Sequence, residues 1–197
     1  SRALEDILLA AAESYRVSPR RSHKYTEVFG LCFGSVRRDG IRRESRDVRV
    51  NVGRVVTQLR AKATPDSVMP NSQSLAAHLD VGNQFFPHLE LVGDYHTHPY
   101  DSLADLVANQ GWEYSDADLE SLPGYMEEVR ARRERPLFSL VVAVAEGGKT
   151  GKGAFRKRPN VVQVPVGNLY FVIGAYRIRL DASYDRRVDL SLPALIK

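Results

Sequence analysis

Apolar residues first recur at helical spacing, where Leu4, Ile7, Leu8, Ala11 and Tyr15 predict an amphipathic helix over residues 2–15, closed before Pro19. From Tyr25 to Gly34 the pattern becomes a continuous apolar run with strand character. Arg38-Asp39-Gly40-Ile41 carries the Asp-Gly signal of a tight hairpin, so a returning strand through about Val56 is expected. Pro65 and Pro70 mark residues 64–71 as a loop. Ser72 is then placed to cap a helix whose Leu75, Leu79 and Phe86 share a face, with Pro87 as its stop.

Leu89 to Tyr95 predicts a buried strand running into His96-Thr-His98-Pro99. Leu103, Leu106 and Val107 suit the inner face of a short helix within residues 101–110. Ser115 opens a further helical stretch, expected to break at Pro123-Gly124 and resume through Arg135. Leu137 to Ala145, Val161 to Val166 and Leu169 to Leu180 read as strands, with a glycine-rich loop at 147–153. Helices and strands interleave, and the hairpin argues against a purely parallel sheet. The expectation is one α/β domain over residues 1–197, a mixed β-sheet flanked by helices.

Charge changes this picture little. The net charge is +4, and the basic runs (Arg37, Arg38, Arg42, Arg43; Arg130, Arg132, Arg133, Arg135; Arg156, Lys157, Arg158) are interleaved with or flanked by acids. They read as solvated surface, and a basic nucleic-acid-binding module rests on them alone. No apolar run approaches the ~18 residues of a membrane helix, and no leader pattern opens the chain, so a cytoplasmic location is expected. Cys32 is the lone cysteine, which rules out an internal disulfide, a cysteine-built zinc cluster and the Pro-Cys-x-x-Cys signature of nucleobase deaminases. Gly147-Gly-Lys-Thr-Gly-Lys-Gly153 looks like a phosphate loop but carries Gly153 where Ser or Thr is required.

The strongest chemical signal is Gly93-Asp-Tyr-His96-Thr-His98-Pro99. Side chains alternate along an extended segment, so His96 and His98 point the same way from the end of a strand. Two imidazoles on one side suit zinc, whose catalytic sites use three protein ligands; the plainer alternative is a pair of loop histidines with no ligand. Asp94 shares their parity and is a candidate third ligand, as is an acid of Tyr114-Ser115-Asp116-Ala117-Asp118-Leu119. Ser115-x-x-Asp118 is also a helix-capping pair, a role compatible with ligation. Upstream, Glu27 precedes the Gly30- and Gly34-spaced strand; facing the histidines, it would serve as general base for a zinc-activated water.

Taken in order, Glu27, the glycine-spaced strand, His-x-His-Pro and Ser-x-x-Asp resemble the JAMM metalloprotease signature of the MPN, or JAB, domain family. The resemblance covers about Tyr25 to Ala145, and Val172-Ile-Gly-Ala-Tyr-Arg-Ile is similar to the family's closing strand. It implies an MPN/JAB-type, cytidine-deaminase-like domain. It also implies one zinc on His96, His98 and Asp118, with Glu27 as general acid/base and Ser115 as an oxyanion donor. Such enzymes cleave peptide or isopeptide bonds after ubiquitin-like tails, so the implied partners are ubiquitin-like conjugates and their conjugation enzymes. Members without the ligands are noncatalytic scaffolds.

Residues 100–114 separate His-x-His-Pro from Ser115, a longer interval than the family's. Asp101, Asp105 and Asp116 therefore compete as third ligand, with Asp118 favoured because it keeps the Ser-x-x-Asp pattern. The interval reads either as an inert surface helix or as a flap whose Trp112 touches substrate.

Overall fold

A computed structural model of the chain describes residues 2–17, 26–38, 48–58, 62–63, 68–69, 71–132, 134, 136–147, 155–179, 183–185, 188 and 190. The amphipathic start forms α1 (Arg2–Arg16), which buries Leu4, Ile7, Ala11 and Tyr15. Strands β1 (Phe29–Arg38) and β2 (Val48–Thr57) pair antiparallel from Arg38↔Val48, so the expected hairpin forms. Its Asp-Gly turn lies outside the described residues, as does Tyr25. Within the expected loop, β3 (Lys62–Ala63) and β4 (Val68–Met69) make a small antiparallel ladder of their own.

The helix α2 (Ser72–Phe85) is capped by Asn71, not Ser72: the Asn71 side chain accepts the Ser74 N–H at 3.0 Å. Such a cap contributes about 1 kcal/mol. Leu75 and Leu79 are buried as expected, but Phe86 falls beyond the last turn.

Strand β5 (Glu90–Tyr100) continues straight through His96-Thr-His98-Pro99. It is followed by α3 (Leu103–Ala108) and α4 (Asp116–Ala131), then β6 (Phe138–Glu146). Val107 is exposed rather than inward; Leu106 alone of its trio is fully buried. Nor does α4 break at Pro123: the helix passes through it, with Leu122, Tyr125, Met126 and Val129 buried beneath. One missing hydrogen bond is outweighed by that apolar face, since each such side chain contributes roughly 1.5–3 kcal/mol on burial.

The chain closes with β7 (Phe155–Arg158), β8 (Val161–Val166), β9 (Leu169–Ile178) and β10 (Tyr184–Asp185). Strand β7 was not expected, and the glycine-rich stretch from Gly148 lies outside the described residues. The sheet runs β2-β1-β5-β6-β9-β8-β7, with β10 also on β9. Among the described residues only β5 and β6 pair in parallel. A parallel pair needs a crossover of a dozen or more residues, which residues 101–137 supply. The extra length after Pro99 is thus part of an obligatory connection. The α/β architecture of a mixed sheet flanked by helices stands as expected.

Two cores result. On one face Leu4, Ile7, Ala11 and Tyr15 of α1 meet Cys32, Val92 and Tyr95. On the other, α2 and α4 cover Phe29, Leu31, Phe33 and Leu91. A bulge decides which face β5 turns to its helices: Cys32 pairs with Gly93 and Phe33 with Leu91, leaving Val92 as an extra residue. The inserted residue breaks the period of two, so Leu91, Asp94, His96 and His98 all face α2 and α4. Among the described residues no helix is long and apolar enough to cross a membrane.

Candidate metal centre

Ser115 stands just before α4 in extended backbone, and its hydroxyl accepts the Asp118 N–H at 3.2 Å. In return Asp118 Oδ2 accepts from Ser115 N–H and from Ser115 Oγ, both at 2.7 Å. This capping box fixes the Asp118 carboxylate with one oxygen aimed at β5. His98 Nε2 lies 3.1 Å from that oxygen and His96 Nε2 3.4 Å from it. One ligand atom from each of the three residues falls within 4.8 Å of the others, and all three residues are buried.

The register of the sheet brings in the fourth residue. Phe29 pairs with His96, while Thr97 N–H donates to the Val28 carbonyl and Thr97 Oγ1 accepts from Val28 N–H. Extending that register puts Glu27 across from His98, with Oε1 4.0 Å from Nε2. Glu27 is only 4% exposed, so its carboxylate is held inside the site rather than in solvent.

Hydrogen-bond chemistry tests whether these residues suit a cation. His98 Nδ1 is 2.9 Å from the Gly111 carbonyl oxygen, and Nε2 faces the Asp118 carboxylate. Both partners are acceptors, whereas a neutral imidazole has a single N–H. Only a second proton or a cation at Nε2 satisfies both ends. Among the described residues, buried His96 Nε2 makes no hydrogen bond and faces the same oxygen. Two imidazole nitrogens and a carboxylate around one point can hold one metal ion, and the set suits a three-ligand zinc site.

Electrostatics agree with that reading. Burial alone would raise the Asp118 carboxyl, but the imidazoles of His96 and His98 beside it win and hold it well below the usual carboxylate range. Asp118 is therefore an anion ready to ligate.

The rival acids are elsewhere. Asp101 and Asp116 are exposed, and Asp105 is exposed with its carboxylate on Ser102 Oγ at 2.6 Å. Asp94 shares the face of the histidines, as parity predicts, but its Oδ1 accepts from Ser139 Oγ. Burial pushes its carboxyl up to about 6, against the Ser139 hydrogen bond and the His96 charge. His96 and Asp118, with Asp94, Tyr114, Tyr125 and Ser139, line a cavity of about 30 Å³, room for one water.

No protein-family model matches the chain, and neither does any curated protein. Two residues of the interval before Ser115 flank the site, and the sequence marks only Tyr114 of them. Tyr114 lies against the His96 ring at 5.5 Å between centroids, and Gly111 touches His98 through its backbone alone. A backbone carbonyl leaves no residue-type signal, so only the fold reveals it. Trp112 is 2% exposed and clusters with Leu106, Ala143, Ala145, Val161 and Val172, with Lys157 Nζ 4.0 Å from the ring centroid. A ring this buried offers no face to a substrate, so Trp112 is core, while α3 ahead of it, with Leu106 inward and Asp105 and Val107 exposed, is a surface helix.

Proposed function

We propose that this protein is a zinc-dependent peptidase or isopeptidase of the JAMM type, acting on the amide bond that follows a ubiquitin-like tail. The observation carrying the reading is Glu27 Oε1 4.0 Å from His98 Nε2, beside a His96–His98–Asp118 group within 4.8 Å. A buried three-ligand group alone suits many metal sites; an acid facing it adds the base that amide hydrolysis requires. His96, His98 and Asp118 would hold the zinc, which when bound supplies Lewis acidity to a carbonyl and to water.

The rest is done by the chain's own groups. Glu27 takes a proton from the attacking water and returns it to the amine nitrogen as the C–N bond breaks, giving one carboxylate and one amine. Burial keeps competing solvent from that carboxylate. Ser115 has one hydroxyl proton, spent on Asp118 Oδ2 at 2.7 Å. To stabilise an oxyanion it swings away, leaving Asp118 held by the Ser115 N–H, also at 2.7 Å. Because β5 is an inner strand, an extended tail reaches the site over the strand ends, not by pairing with β5. Conjugates of a ubiquitin-like protein are the proposed substrates, and their conjugation enzymes the proposed partners.

The test is cleavage of a panel of ubiquitin-like fusions with and without a chelator. Chelator-sensitive release of one tail is expected. Tight binding of a tail without turnover would make the chain a scaffold, and chelator-insensitive cleavage would remove the metal from the reaction.

A further inference from the structure

Gly111 and Trp112 are buried beside the site, between exposed Gln110 and half-buried Glu113 and Tyr114. Gly111 is buried with its carbonyl oxygen 2.9 Å from His98 Nδ1. A Cβ at Gly111 would stand 2.2 Å from the Tyr100 ring, so any other residue here would push that ring aside. Next along the chain, the Trp112 carbonyl accepts the Tyr176 hydroxyl of β9 at 2.6 Å. A Cβ at Gly174, also on β9, would stand 2.3 Å from that same carbonyl oxygen. Two glycine-dependent approaches and one strong hydrogen bond therefore lock adjacent peptide units, and the buried Trp112 ring fixes them to the sheet.

We infer that this stretch is a positioning device for His98: the Gly111 carbonyl holds the proton on Nδ1 and so commits Nε2 to the cluster with His96 and Asp118. The inference rests on the metal reading above and deepens it. Which imidazole nitrogen can ligate is set by what the other one bonds. The long interval after Pro99 thus supports both sides of the centre, orienting His98 through Gly111 and delivering Asp118 through the Ser115 cap. Gly111, Tyr176 and Gly174 act through His98 and are positioning residues.

The experiment uses the full chain with ¹⁵N-labelled histidine, at a pH well above the histidine range, both with chelator and with added zinc. Two-bond ¹H–¹⁵N correlation should find a proton on His98 Nδ1 in both states, slow to exchange. Gly111→Ala should speed that exchange and lower zinc affinity by about 10–100-fold, the usual cost of losing a partner behind a ligand. Tyr176→Phe removes only a hydroxyl and should shift both readouts the same way with the fold intact. A zinc-free His98 whose single proton sits on Nε2, with Nδ1 bare, would overturn the inference. So would wild-type exchange and zinc affinity in Tyr176→Phe. A wild-type chain that carries the Nδ1 proton but takes up no zinc would overturn the metal reading while upholding the positioning of His98.

Discussion

Glu27 Oε1 stands 4.0 Å from His98 Nε2 although the two residues are far apart in the chain, brought together by the antiparallel register of β1 and β5. Neither is placed by local sequence. Glu27 sits ahead of β1 and is aligned by Val28 and Thr97, which exchange hydrogen bonds at 2.8 and 3.0 Å.

That pairing makes Glu27→Gln a clean probe. The amide keeps the shape of the carboxylate but cannot take the proton. Turnover should drop by about 10²–10⁴-fold while metal content and thermal unfolding stay at wild-type values. A Gln variant at full activity would put the general base elsewhere.

Trp112→Ala tests the core assignment of the segment before Ser115. Removing a large aromatic that is 2% exposed should cost about 3–5 kcal/mol, read as a lower urea midpoint. Unchanged stability, with weaker handling of folded protein substrates only, would restore the flap.

His96 and His98 share a face because a strand alternates, and that much is visible in His-x-His. Which face is not, because the extra Val92 in the β1–β5 register shifts the parity without any residue-type mark. Ser115 and Asp118 were readable as a cap, and they are one; the same geometry aims Asp118 at the histidines. Pro123 misled, since the loss of one N–H is local while the burial of Leu122, Tyr125, Met126 and Val129 is tertiary. Trp112 is as hard to place: its nearness to Ser115 is local, while its enclosure by β6, β8 and β9 is tertiary.

Asp94 gives a pH prediction for the metal-free protein. Its carboxyl, ordinarily near 3.8, sits at about 6 in the fold, chiefly through burial. Between those values the native state keeps a proton that the unfolded chain has released, so stability falls as pH rises through that window. The interval from 3.8 to about 6 corresponds to about 3 kcal/mol. Asp94→Asn removes the ionisation and can still accept from Ser139. In chelator, its stability gain over wild type should be near zero at about pH 4 and approach ~3 kcal/mol by about pH 8. A gain independent of pH would contradict the buried, protonated Asp94.

The central claim is that His96, His98 and Asp118 hold one metal ion, and elemental analysis of protein purified without added metal reads it directly. Near-equimolar zinc is predicted for the wild type, with most of it lost in His96→Ala, His98→Ala and Asp118→Ala and retained in Glu27→Gln. Full zinc retention in both histidine variants, or a wild type that neither carries nor takes up zinc, would contradict the account.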